Sequence, residues 1–280
     1  MKTLGGLLAA AMTVSLAGAA SLDQSLIFYS SFDQGLNAER GGGDKTLFWA
    51  PKVAFPAEAK AGLPPNDLVV HEKSGGVQGG GCLRFTKKAS EMVFYRAKGN
   101  MPSDWNGTVS FWLRLTPDED LEPGYTDPIQ ITSKGWDDAA FFIEFTKDEK
   151  PRELRLGAYA DKKVWNPEGR DWNSIPLSEK PLVPVIKPPF TRDTWTHVAF
   201  TFDNFNTGKK DGVTRLYVNG EPKGALSPRE QTFTWDMDQA MIMLGLSYVG
   251  RFDELAIFDR SFNAEEISQL YRKKNLLSAP

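Results

Sequence analysis

Two histidines and one cysteine leave this chain little material for metal or thiol chemistry. His71 and His197 lie far apart, and no His-Glu-x-x-His, Cys-x-x-Cys pair, Gly-x-Ser-x-Gly or phosphate-cradling glycine loop is present. Cys82, in Gly80-Gly81-Cys82-Leu83-Arg84-Phe85, follows no basic cluster that would favour its thiolate, so it is expected to pack as a small apolar side chain in a strand. Glycan hydrolysis would need two carboxylates about 5 to 10 Å apart. The acidic run Asp118-Glu119-Asp120-Leu121-Glu122 leads into Pro123-Gly124 and reads as a solvated loop, with a cation site as the alternative. Sugar binding is better supplied, because it asks for aromatic faces beside planar polar side chains, and eight tryptophans are present. Candidate ligand contacts in strands are Trp112 with Arg114, Arg155 with Tyr159, and Arg215 with Tyr217. Trp136, in Gly135-Trp136-Asp137-Asp138, and Trp165 and Trp172 are the candidates in loops.

The elements that must position these groups are mostly strands. Gly 25 and Pro 18 in 280 residues, with 12% aromatics, favour many short strands joined by turns. Val109 to Leu115 alternates strictly, with Ser110, Trp112 and Arg114 on the face away from the core. Phe141 to Phe145 and Leu154 to Tyr159 form a predicted hairpin, and Thr196 to Phe202 repeats the alternation. Thr214 to Val218 runs into Asn219-Gly220, residues suited to a tight turn. With shorter runs at 26–29, 68–71, 83–85, 92–95, 128–132, 240–244 and 252–258, there are strands enough for two packed sheets. One helix is predicted, near the C-terminus and on a sandwich edge. Asn263 caps it, Glu266 completes a capping box, Phe262 staples onto Ile267, and Leu270 and Tyr271 extend the apolar stripe. The segment from Asp161 to Thr191 carries six prolines with Trp165 and Trp172, and reads as a long irregular insertion beside a ligand cleft, or as the cover of a second core.

Trp195-Thr196-His197-Val198-Ala199-Phe200, Arg215-Leu216-Tyr217-Val218-Asn219-Gly220, and Gly250-Arg251-Phe252-Asp253-Glu254-Leu255 through Ala264-Glu265-Glu266-Ile267 resemble the signature of laminin-G-like, concanavalin A-like jelly-roll domains. Ser31-Phe32-Asp33 and Gly79 to Phe85 resemble that family's opening strands. The resemblance implies an all-β, two-sheet antiparallel jelly-roll sandwich with a short C-terminal helix. Its relatives are mostly secreted lectins, glycan-binding modules or adhesion domains, with glycoside hydrolases in some branches. It also implies a structural Ca²⁺ held by Asp253, with Asp33 and the Gly80 and Gly81 region supplying further oxygens. The alternative is that Asp253 accepts backbone amides or pairs with Arg251. Hydrolases of this fold carry Glu-x-Asp-x-Glu or Glu-x-Asp-x-x-Glu on one strand, and no Glu here has Asp two residues on. The favoured function is therefore a secreted, non-catalytic carbohydrate-binding domain. A hydrolase or lyase with an unrecognised site, and an adhesion part of an extracellular assembly, are the alternatives.

Residues 1–19 read as a signal peptide: Lys2 precedes an uncharged stretch from Leu4, and Ala17-Gly18-Ala19 offers a cleavage site. The folded domain is then 20–280, placed in a periplasm or outside the cell. Lys+Arg 33 against Asp+Glu 36 gives a net charge of -3, which provides no basic surface for nucleic acid or an anionic membrane, and no membrane-spanning segment is expected.

Overall fold

The computed structural model describes residues 22–274 and 276, so the expected cleavage site lies outside the described residues. The strands run as β1 (Leu26–Ser30), β2 (Phe48–Ala50), β3 (Lys60–Ala61), β4 (Val69–Glu72), β5 (Cys82–Phe85), β6 (Met92–Arg96), β7 (Gly107–Arg114) and β8 (Thr126–Thr132). They continue as β9 (Ala140–Phe145), β10 (Leu154–Tyr159), β11 (Leu182–Val185), β12 (Thr196–Asp203), β13 (Gly212–Val218), β14 (Glu221–Arg229), β15 (Met241–Leu246) and β16 (Gly250–Phe258). Three α-helices accompany them among the described residues: α1 (Pro117–Asp120), α2 (Lys162–Trp165) and α3 (Ala264–Lys273).

Two antiparallel eight-stranded sheets result. The first has the order β14-β13-β12-β7-β16-β5-β4, with β1 also paired to β16, and the second has the order β11-β10-β9-β8-β15-β6-β2-β3. The alternating residues meet between them as expected: Val109, Phe111 and Leu113 of β7 and Val198, Phe200 and Phe202 of β12 share one core with Phe141, Ile143 and Phe145 of β9. Phe141 is a hub of this core, its ring centroid 4.8 Å from Phe233 and 5.6 Å from Phe200. Each such side chain contributes about 1.5–3 kcal/mol by leaving water, and this burial holds the sheets together. Asn219 and Gly220 take φ of 52° and 78° and turn β13 into β14, the hairpin their residue types predict.

The capping box of α3 is present, with Asn263 Oδ1 accepting from the Glu266 amide at 3.0 Å. The helix does not sit on an edge, however. It lies across the outer face of the first sheet, where Phe262, Ile267 and Leu270 cover Ala199, Tyr217 and Ala256. Those three outward residues form an apolar patch that would otherwise face water, which is why the helix settles there. The segment 161–191 also departs from expectation. It contains α2, a 3₁₀ turn at Trp172–Ser174, and β11, which extends the second sheet by pairing with β10. The acidic run builds α1, where Asp118 accepts from the Arg152 amide at 2.7 Å and Asp120 pairs with Arg192 at 2.7 Å.

Strand β16 breaks its alternation. A bulge between Asp253 and Ala256, with Glu254 in the left-handed region at φ 54°, sets Asp253 opposite Trp112 and returns Leu255 and Ile257 to the core. Asp253 therefore lies off the core face that Leu255 and Ile257 share.

Candidate functional site

On the second sheet β10, β9, β8 and β15 are neighbours, and their outward side chains floor a cavity of about 290 Å³. Asp127, Gln130, Phe142, Glu144 and Arg155 form the floor, and Tyr125, Trp136, Trp172, Leu246 and Ser247 form the rim. Strand register explains the floor. Glu144 and Arg155 are directly opposed between β9 and β10, and Arg155 Nη2 reaches Glu144 Oε1 at 2.6 Å. A bulge between Thr126 and Ile129 lets Asp127 and Gln130, three residues apart, line the same cavity. Gly157 faces Phe142, and a Cβ there would lie 2.2 Å from Phe142 Cζ, so the absence of a side chain lets the ring lie across β10.

The rim is aromatic. Trp136 is 43% exposed and stands perpendicular to Trp172, with centroids 5.1 Å apart. Beneath them Tyr159 is fully buried, stacked on Phe142 at 5.5 Å and met edge-on by Trp165 at 4.9 Å. Trp165 Nε1 donates to the Asp137 carbonyl at 2.8 Å, so Trp165 and Tyr159 support the wall from below while Trp136 and Trp172 present it. Lys180 Nζ lies 4.0 Å over the Trp172 ring.

The floor is electrostatically tense. Burial pushes the Glu144 carboxyl up to about 7, opposed by its pairing with Arg155. Burial first and the Glu144 charge second hold the Asp127 carboxyl well above the usual carboxylate range. Among the described residues none donates a hydrogen bond to the Asp127 side chain, and the buried Arg155 Nε–H likewise has no acceptor.

Of the residues singled out in the sequence, Trp136, Arg155 and Trp172 line this cavity, with Tyr159 and Trp165 packed behind it. The other four lie on the opposite side of the sandwich. Trp112 is 4% exposed beneath α3, stacked on Tyr271 at 5.6 Å, and Tyr217 is buried by the same helix. Neither is available to a ligand, because the terminal helix, and not the 161–191 segment, covers their face. Arg114 stacks on Trp195 at 4.9 Å, and Arg215 pairs with Asp203 at 2.7 Å. The sequence reading missed Tyr125, Asp127, Gln130, Phe142, Glu144, Leu246 and Ser247. Phe142 and Glu144 carried a signal, since an outward Phe beside an outward Glu on an alternating strand asks for a cover and a counter-charge.

Asp33, Gly81 and Asp253 also come together. Asp253 is buried, its two oxygens accepting from the Val77 amide at 2.7 Å and the Glu254 amide at 2.9 Å, while Asp33 accepts from the Gly81 amide at 2.8 Å. Glu254 accepts from the Tyr29 hydroxyl through one oxygen, and its buried Oε1 has no hydrogen-bond partner. Burial, reinforced by Glu254 and Asp33, pushes the Asp253 carboxyl up to about 9. Burial pushes Glu254 up to about 8, with Asp33 and Glu39 adding to it. The charge therefore fits a cation. Among the described residues no three His, Cys, Asp or Glu side chains gather as a metal cluster, so a Ca²⁺ here would need backbone carbonyls as well.

Two antiparallel sheets packed face to face, with a hollow on one outer face, define a jelly-roll sandwich. The chain belongs to the Laminin_G_3 family of the concanavalin A-like lectin/glucanases superfamily, whose model matches residues 96–268. Among solved structures it is similar to domain 4 of AbnA, a GH43 extracellular arabinanase from Geobacillus stearothermophilus, in complex with arabinotriose. The identity is 19%, the TM-score 0.54, and the match covers 88% of this chain and 98% of that domain. It is similar too to the receptor binding domain of botulinum neurotoxin D, at 13% identity and a TM-score of 0.57, and to the binding domain of Paraclostridial Mosquitocidal Protein 1, at 16% and 0.53. The match covers 90% of this chain in both cases, but only 54% and 53% of the toxin chains. At these identities the likeness is one of fold. No curated protein matches the sequence. Among the described residues no helix is long and apolar enough to cross a membrane.

Proposed function

We propose that this chain is an exported carbohydrate-recognition domain whose ligand occupies the cavity on the second sheet. The observation that carries the reading is the cavity itself: an exposed Trp136 and the Trp172 edge over a floor of Asp127, Gln130, Glu144 and Arg155. Aromatic faces take the C–H surface of a sugar ring, and the floor supplies acceptors and donors for its hydroxyls. The structurally similar arabinanase domain was solved with arabinotriose, which agrees with this reading. A hydrolase retains one observation in its favour, the two carboxyls Asp127 and Glu144 in one hollow. The ion pair with Arg155 at 2.6 Å ties Glu144 to a structural role and favours binding over turnover.

The test is a glycan array followed by titration of the best ligand. Trp136→Ala is expected to weaken binding by about ten- to a hundredfold, the loss of one aromatic contact, while the melting temperature changes little. Unchanged affinity would remove the cavity from the reading, and release of reducing sugar from the ligand would replace binding by hydrolysis.

We also propose that Ca²⁺ is held at Asp253 with Asp33 and the Gly81 region, supported by the charges of Asp33 and Glu254 acting on the buried Asp253 and by the partnerless Glu254 oxygen. Its role would be to neutralise buried charge. A native-state ligand at a hundredfold excess over Kd adds about 2.7 kcal/mol, or about 5 to 10 °C in melting temperature. That shift should disappear with a chelator and in Asp253→Asn. A melt indifferent to both leaves amide hydrogen bonds as the whole explanation of Asp253.

A further inference from the structure

Resting on the carbohydrate reading, the geometry points to recognition of a chain end: we infer that the cavity takes the terminal, uncharged sugar residue of a glycan, with Asp127 and Gln130 reading neighbouring hydroxyls on that one ring.

Size is the first argument. Sites for drug-sized ligands run from about 300 to 1,000 Å³, and this cavity, at about 290 Å³, lies at the small end of that range, which suits the end of a chain better than a long stretch of it. Shape is the second. The rim is built from four separate segments: Tyr125 before β8, Trp136 in the β8–β9 loop, Trp172 in the 161–191 segment, and Ser247 after β15. Walls drawn from four segments make a socket, whereas a bound chain interior needs a groove open at two ends.

Polar chemistry is the third argument. Arg155 and Glu144 pair with each other, and the Arg155 Nε–H is itself buried, so the floor groups left for a ligand are the Asp127 carboxyl and the Gln130 amide. An acceptor and a donor side by side match two adjacent ring hydroxyls, one giving and one receiving a hydrogen bond. Among the described residues that line the cavity Arg155 is the one cation, and it is paired with Glu144 at 2.6 Å, which leaves no counter-charge for a carboxylate or sulfate on the end residue.

The experiment uses the full chain, and follows tryptophan fluorescence and calorimetry. The probes are neutral arabino-, xylo-, gluco-, manno- and galacto-oligosaccharides of one to six units, plus the methyl glycoside of each sugar and galacturonic acid oligomers. In the series that binds, affinity is expected to change by less than about threefold from two units to six, with the methyl glycoside competing. Asp127→Ala should weaken binding by about tenfold, the loss of one hydrogen bond to the sugar. Affinity that climbs tenfold or more with chain length, or a preference for galacturonic acid oligomers, overturns the chain-end inference while leaving the carbohydrate reading intact. Failure of every series to bind overturns both.

Discussion

Replacing Trp112 by Ala is expected to lower the stability of the domain by about 3–5 kcal/mol without touching ligand affinity. The side chain is 4% exposed, lies 5.0 Å from the His197 ring and 5.6 Å from Tyr271, and is sealed by α3. Its loss leaves a cavity between helix and sheet that rigid strands cannot collapse to fill, so the cost is the transfer term plus the void. The whole cavity on the second sheet lies on the other side of the sandwich. Thermal melts of wild type and variant, with titration of the array ligand on both, read the two quantities separately. A variant that melts normally and binds weakly would return Trp112 to the ligand site and displace the helix as its cover.

A comparable loss is expected from Arg155→Met, with a pH dependence that identifies its origin. Removing one partner of a buried ion pair costs about 3–5 kcal/mol because the other charge stays behind, and Glu144 is only 8% exposed. Its carboxyl already lies at about 7 with Arg155 present, and it rises further once the guanidinium is gone. The folded state then holds a proton that the unfolded chain releases near about 4.3, so stability falls as pH rises from that value through 7 and beyond. The deficit against wild type should be small at about pH 5, where Glu144 is neutral in both proteins, and full at about pH 8 to 9. Adding Glu144→Gln removes the orphaned charge and should recover much of the loss at high pH. A deficit that does not vary with pH would show that Arg155 acts through packing on Tyr125, whose ring it covers at 5.2 Å.

What could be read in the sequence follows what is local. Period two in Val109 to Leu115 and Thr196 to Phe202 fixes which side chains of each strand face the core, since successive Cβ atoms point to opposite sides whatever the neighbours are. Asn219-Gly220 marks its hairpin and Asn263 with Glu266 marks the start of α3 for the same reason: turn and cap depend on a few adjacent residues. Strands β2, β3 and β11 were not legible because they are only two to four residues long, and β14 because it is an exposed edge whose Pro, Gly and charged residues show no apolar alternation. The 161–191 segment illustrates this: its prolines suggest a loop, while Leu182–Val185 gains a ladder only because β10 offers one.

The site divides the same way. Composition and alternation mark Trp136, Arg155 and Trp172 as candidates, but equally Trp112 and Tyr217, and nothing in the chain order separates the two sets. The separation is made by tertiary structure, when α3 covers the outer face of the first sheet and leaves that of the second to be walled by loops. Asp127 and Glu144 come from strands joined by a loop, and a bulge in β8 decides that Asp127 shares Glu144's hollow. A bulge in β16 likewise moves Asp253 off the core face. The sequence by itself therefore determined the sandwich, because side-chain alternation is a property of each strand alone. Only the fold decided which face carries the site, because strand order, bulge position and helix docking are set by pairings between segments far apart in the chain.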